Sequence, residues 1–204
     1  MDRTPSPSFS AMRRLLRASV ASLGLFVVSC SGAGDAVHGA SVLPGVPNVS
    51  YRYYDVSGTT AEEIRASINA NRPRDTNDGK PVDAATRWTI EWGWKVDDRG
   101  GCDLTQATIP FRAQIELPRL GGEEALAPDV RARWQAFREA LLAHEVGHVR
   151  YAYEHIADVR RAIRSSTCAT AEKAAAAAVR AIAQRDLDYD RATNHGATEI
   201  PPFP

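Results

Sequence analysis

Apolar and polar residues alternate with period two in two stretches of the chain. Trp88, Ile90, Trp92, Trp94 and Val96 alternate with Arg87, Thr89, Glu91, Gly93, Lys95 and Asp97, the pattern of a strand with one buried face. Ile109, Phe111, Ala113, Ile115 and Leu117 repeat it against Thr108, Arg112, Gln114 and Glu116. Asp98-Arg99-Gly100-Gly101 supplies a turn between them, so the two stretches are predicted to pair as an antiparallel hairpin. Pro110 sits early in the second stretch, which points to an edge position there. Val49, Tyr51 and Tyr53 predict a third strand. Between it and the hairpin, Thr60 to Asn71 reads as a short helix, with Thr59 or Thr60 as cap and Glu62 and Glu63 in its first turn.

The second half of the chain switches to a helical period. Val130, Trp134, Phe137 and Leu141 step by four, three and four, and Ala152, Ile156, Val159 and Ile163 continue the stripe. This predicts one long amphipathic helix from Asp129, interrupted near Ser165-Ser166. Thr170 to about Asp188, with its run of five alanines, predicts a further helix. Strands followed by helices imply an α+β domain, here a small antiparallel sheet packed on two or three helices.

Composition narrows the function classes. Lys and Arg together number 25 and so do Asp and Glu, which argues against a nucleic-acid binder, whose footprint would be basic. An apolar content of 44% is too high for a disordered chain. The N-terminus has the layout of a secretory signal: Arg13, Arg14 and Arg17, then the short apolar run Ala18 to Val28. That run ends in Val27-Val28-Ser29-Cys30, which resembles a bacterial lipobox and implies cleavage before Cys30 and lipidation of its thiol. The expected division is a signal over residues 1–29, a lipidated Cys30 with a flexible tether over 30–48, and one domain over 49–204. Gly32 leans toward the periplasm-facing outer membrane. Cys102 and Cys168 are then left to pair in an oxidising compartment. Closing that loop is worth roughly 4 kcal/mol in the chain-entropy account.

Chemistry enters with His144-Glu145-Val146-Gly147-His148, an H-E-x-x-H run on the long helix. Residues four apart share a helix face, so both imidazoles can converge on one Zn²⁺. Glu145 projects roughly 100° around the helix from His144, beside the ion, where it can take a proton from an activated water. Two histidines on a core-facing stripe are costly to bury without partners, which favours a metal over a packing role. His155 lies about 10 Å further along the helix axis and is excluded as a third ligand if that helix is unbroken. Glu172 is open as a ligand, though its place in a first turn has a simpler electrostatic reason. The other candidates are in Tyr189-Asp190-Arg191-Ala192-Thr193-Asn194-His195-Gly196, where the last helix should end.

Together these features resemble a bacterial family known as domain of unknown function 922, described as secreted zinc-dependent proteases on the strength of such motifs. The matching elements are the Trp-rich strand, Gly101-Cys102, Leu117-Pro118, Trp134 ahead of the H-E-x-x-H run, Cys168, and Tyr189-Asp190-x-x-Thr193-x-His195-Gly196. The resemblance implies a zincin-like metallopeptidase with His195 or Asp190 as third ligand. Of the two, His195 is the expected ligand, because a neutral imidazole binds zinc well and Gly196 allows a tight turn to aim it. Asp190 is then expected to orient a ligand and Tyr189 to hydrogen-bond a reacting oxyanion. The expected activity is hydrolysis of peptide bonds in a protein or cell-wall peptide, at a membrane reached through a lipid anchor only. A non-catalytic envelope lipoprotein, in which zinc or the fold merely organises a binding surface, is the alternative.

Overall fold

The computed structural model describes residues 43–204. The expected signal, Cys30 and most of the tether lie outside the described residues. Leu43 and Val46, within the expected tether, are buried against the domain, and the Asn48 side chain donates to the Phe111 carbonyl at 3.1 Å.

Five strands and four helices follow in the order β1 (Val49–Val56), α1 (Ala61–Asn71), β2 (Ala85–Ile90), β3 (Gly93–Val96), β4 (Cys102–Thr108), β5 (Phe111–Leu120), α2 (Pro128–Glu154), α3 (Ile156–Arg164) and α4 (Ala171–Thr193). The fold class is α+β, as the pattern implies, but the sheet is mixed rather than antiparallel. Strand β5 lies between β1, which it pairs in parallel, and β2, which it pairs antiparallel. The central place of β5 explains its nearly continuous burial. The expected hairpin is corrected in one respect. The run over 87–97 breaks at Glu91-Trp92, so that Trp88 and Ile90 pair with Ala113 and Phe111. Residues past the break form β3 and turn through Asp97–Gly101 into β4. Pro110 therefore falls between β4 and β5, where its carbonyl accepts from Glu91 N at 2.9 Å.

Helix α1 starts as expected. The Thr60 hydroxyl accepts from Glu63 N and the Glu63 carboxylate returns a bond to Thr60 N, the reciprocal arrangement that satisfies two otherwise unpaired donors. The long helix breaks ten residues earlier than Ser165, at His155. There the imidazole Nδ1–H donates to Tyr151 O at 2.8 Å, the carbonyl that the His155 backbone N–H also uses. Side-chain competition of this kind interrupts a helix without Gly or Pro. His155 stacks on Tyr151 and does not approach the H-E-x-x-H run.

The core lies between the sheet and α2, with α4 closing the other side. Trp134, Phe137, Leu141, Val149 and Ala152 form the buried stripe of α2. Phe203 of the terminal Pro-Pro-Phe-Pro segment is also buried, stacked on Phe137 with ring centres 5.3 Å apart. Cys102 at the start of β4 is disulfide-bonded to Cys168, ahead of α4. Among the described residues, no helix is long and apolar enough to cross a membrane.

Candidate metal centre

His144, Glu145 and His148 continue the core stripe of α2, and their exposures are 4%, 5% and 5%. Burial at this level demands partners, and both imidazoles have them on one side. His144 Nδ1–H donates to Glu199 at 2.9 Å and His148 Nδ1–H to Asp186 at 2.8 Å. With Nδ1 protonated, the two Nε2 lone pairs point at one another across 3.2 Å. Oδ1 of Asp190 completes the group, 3.1 Å from His148 Nε2 and 3.4 Å from His144 Nε2. Three acceptor atoms facing one another repel unless a proton or a cation sits between them.

The spacing discriminates further. Zinc bonds of about 2.0–2.1 Å in tetrahedral geometry put neighbouring ligand atoms about 3.3–3.4 Å apart. Edges of 3.2, 3.1 and 3.4 Å outline one face of such a tetrahedron. The donor set, two imidazoles and a carboxylate, is one that zinc accepts at catalytic sites. His144, His148 and Asp190 therefore fit a metal ion.

Without an ion, protons hold the group together. Burial opposes charge on His148, but bonding to Asp186 and Asp190 outweighs it and pushes the imidazole up to about 10. His144 is raised in the same way, against burial, by Asp190 and Glu199. Asp190 is held well below the usual carboxylate range: burial works against this, and hydrogen bonds from both histidines overcome it. Glu145 moves up, because burial disfavours its charged form more than the Thr86 hydroxyl and the histidines favour it.

Neighbouring elements fix these side chains from both sides. The Thr86 hydroxyl of β2 donates to the main-chain carbonyl of Glu145 at 3.2 Å and so ties the helix backbone to the sheet. The Trp88 indole donates to Asp186 Oδ2 at 2.9 Å, while Oδ1 of the same carboxylate holds His148. Tyr189 stacks on the His144 ring and donates to Glu199 at 2.8 Å. Burial and that bond push its hydroxyl up to about 12. The Tyr189 hydroxyl is thus committed to holding Glu199. Gly196 lies flat on His144: at φ +79°, a Cβ there would stand 3.1 Å from two ring carbons and 2.6 Å from Ile200 Cδ1. A cleft of about 530 Å³ opens onto the group, with Thr86, Arg87, Glu145 and His195 in its lining.

The structure brings together His144, His148 and Asp190, and it places His195 elsewhere. Helix α4 runs to Thr193, so Asp190 lies on the helix one turn after Asp186 and faces α2. Asn194, His195 and Gly196 then adopt consecutive left-handed conformations. This turn carries the His195 ring toward Asp75 and Asp78, 3.5 Å from each. The Glu172 carboxylate is engaged by the Trp92 indole at 3.0 Å, away from the group. Asp186, Glu199 and Trp88 were not singled out by motif reasoning. Asp186 alone had a signal, as an acidic residue one turn before Asp190 near a helix C-terminus, where carboxylates are unfavourable unless used.

A family model described as "Bacterial protein of unknown function (DUF922)" matches residues 51–196. The chain belongs to this family. The matched span runs from within β1 to the turn at Gly196, and hence includes every residue of the His-His-Asp group together with Asp186. Glu199, which holds His144, lies just beyond it. No curated protein and no solved structure matches the chain.

Proposed function

We propose that this DUF922 domain is a zinc-dependent peptide-bond hydrolase, exported and held at a bacterial envelope membrane by a lipid on Cys30. The observation that carries the reading is the triangle of His144 Nε2, His148 Nε2 and Asp190 Oδ1, beside a buried glutamate and open to a cleft. A zinc ion bound there would supply Lewis-acid polarisation of a scissile carbonyl and lower the pKa of a water in its fourth position. Glu145 serves as the base. Its raised pKa brings a carboxylate nearer the range where a base both accepts and returns a proton at neutral pH. It takes the proton of the attacking water and delivers it to the leaving amine.

The remaining residues hold this geometry. Glu199 and Asp186 keep each imidazole in the tautomer that presents Nε2. Tyr189 and Trp88 in turn hold those two carboxylates. Substrates of this reading are peptides, from protein or from cell wall, extended along the cleft beside β2. The disulfide is compatible with export, and lipid mass on the Cys30 peptide tests the anchor.

The activity is tested with a broad peptide-cleavage screen on the zinc-loaded chain. Cleavage should vanish with a chelator, return with zinc, and be absent from Glu145→Gln although that variant keeps its ion. Full turnover by Glu145→Gln refutes the mechanism.

A further inference from the structure

Beyond α4 the chain holds α2 at two points. The main-chain N–H groups of Ala197, Thr198, Glu199 and Ile200 bond back to Thr193, Asn194 and Gly196, which ties this turn to the end of α4 and not to α2. The Glu199 side chain that holds His144 is 44% exposed, so burial does little to fix it there. Phe203, four residues on, is 4% exposed. Its ring stacks on Phe137 and meets Trp134 edge-on, with ring centres 5.3 and 5.7 Å apart. Arg65 of α1, held by Asp83 at 2.7 Å, donates from Nε to the Phe203 carbonyl at 2.9 Å. Between the two contact points, Pro201 and Pro202 are exposed. The points match in spacing. Phe137 precedes His144 by seven residues, about 10 Å along the helix axis. Consecutive prolines favour a polyproline II path of about 3.1 Å per residue, so the four steps from Glu199 to Phe203 span about 12 Å. A spacer of this kind is semi-rigid, and fixing one end restricts the other.

We propose that Phe203 is a positioning residue for the metal centre: docked on Phe137 and Trp134, it acts through the Pro201-Pro202 spacer to keep Glu199 on His144 Nδ1. Arg65 secures the same end through the Phe203 carbonyl. With the ring undocked, Glu199 is left on a turn anchored only to α4, and its exposed carboxylate exchanges His144 for water. His144 then loses the acceptor that fixes its tautomer and aims its Nε2. An aromatic contact two turns of α2 away from His144 thereby sets how tightly the site holds its ion. The effect on zinc rests on the reading of His144 as a ligand; the effect on the Glu199–His144 bond does not.

The test is a double-mutant cycle. Zinc is titrated into the metal-free full chain against a chromogenic chelator. Glu199→Ala should weaken zinc about 10–100-fold, the usual cost of losing a group that orients a ligand. Phe203→Ala should weaken it by no more than that, and the two changes together by no more than Glu199→Ala alone. Phe203→Leu, which keeps an apolar anchor, should restore most of the affinity. The double variant Pro201→Gly/Pro202→Gly leaves the ring in place and softens only the spacer. It should weaken zinc when Glu199 is present and change nothing in Glu199→Ala, and it carries the test if Phe203→Ala does not fold. The second readout is the His144 Nδ1–H proton in the NMR spectrum of the metal-free chain. It should be protected from exchange in the parent and exchange faster in Phe203→Ala and in the proline variant. A parent that binds no zinc refutes the zinc reading, and the positioning role is then decided by this proton. Zinc losses that add to that of Glu199→Ala overturn the proposal, as does unchanged exchange of the His144 proton in both variants.

Discussion

Replacing Asp190 by Asn tests the ligand set with little change of shape. The carboxylate Oδ1 stands 3.1 and 3.4 Å from the two imidazole nitrogens, so the substitution removes one of the three donors of the His144–His148–Asp190 site. Loss of a group that merely orients a zinc ligand costs about 10–100-fold in affinity. A direct ligand must cost more, so Asp190→Asn should weaken zinc binding by more than about 100-fold, or about 2.8 kcal/mol at 1.4 kcal/mol per decade. His195→Ala removes no ligand of that ion. It touches the site only through Asp190 Oδ2, 3.9 Å from its Nδ1, and should cost no more than an orienting group does. Competition with a chromogenic chelator at one pH measures both. The metal-free protein gives an independent reading: replacing Asp190 by a neutral amide removes one of the two carboxylates bonded to the His148 imidazolium, so His148 should titrate lower than in the parent. If His195→Ala strips the zinc while Asp190→Asn retains it, the assignment is reversed.

The pH dependence follows from the same groups. His148 rises from the usual imidazole value to about 10 in the metal-free fold, so its stabilising contribution is complete below about 6.5 and is lost as pH climbs through about 10. Zinc must displace that proton, and its apparent affinity should rise about tenfold per pH unit for each proton released. The zinc-induced increase in Tm should therefore grow between pH 6 and pH 8; a flat or shrinking increase would mean that the ion binds elsewhere. At low pH the sign is opposite. Asp190 and Glu199 are both lowered, so their contribution is present above the ordinary carboxylate range and lost on acidification. Gly196→Ala should destabilise the domain by about 1–3 kcal/mol, from its left-handed backbone and the contact with His144. It should also weaken zinc binding by displacing that ring, as denaturant melts and zinc titrations would show. Unchanged affinity would mean that the ring position does not matter.

Local patterns were legible wherever one element decided them. Thr60 and Glu63 declare the start of α1, because a capping box is a contact between near neighbours. The H-E-x-x-H run and the stripe of α2 declare each other, because both depend on one helical period. What the sequence left hidden depends on contacts between elements. The alternation from Trp88 to Val96 continues smoothly through Glu91-Trp92, yet one half pairs with β5 and the other with β4. Nothing local records a change of partner. His195 is preferred to Asp190 in the sequence because both follow the alanine-rich run and a neutral imidazole beside a glycine suits zinc. Five more residues of helix, then three left-handed ones, send the carboxylate to α2 and the imidazole to the Asp75–Lys80 loop. Glu199, Asp75 and Asp78 come from turns and a loop whose positions are set by tertiary structure, and no spacing announces them.

A zinc ion held by His144, His148 and Asp190 would keep one position open to substrate. X-ray absorption at the zinc edge reads that directly, on the chain loaded with one equivalent of zinc. The spectrum should fit two imidazoles, one carboxylate and one exchangeable oxygen, and the last should be replaced when a hydroxamate is added. Three imidazoles, or four protein ligands that a hydroxamate leaves unchanged, would contradict the account.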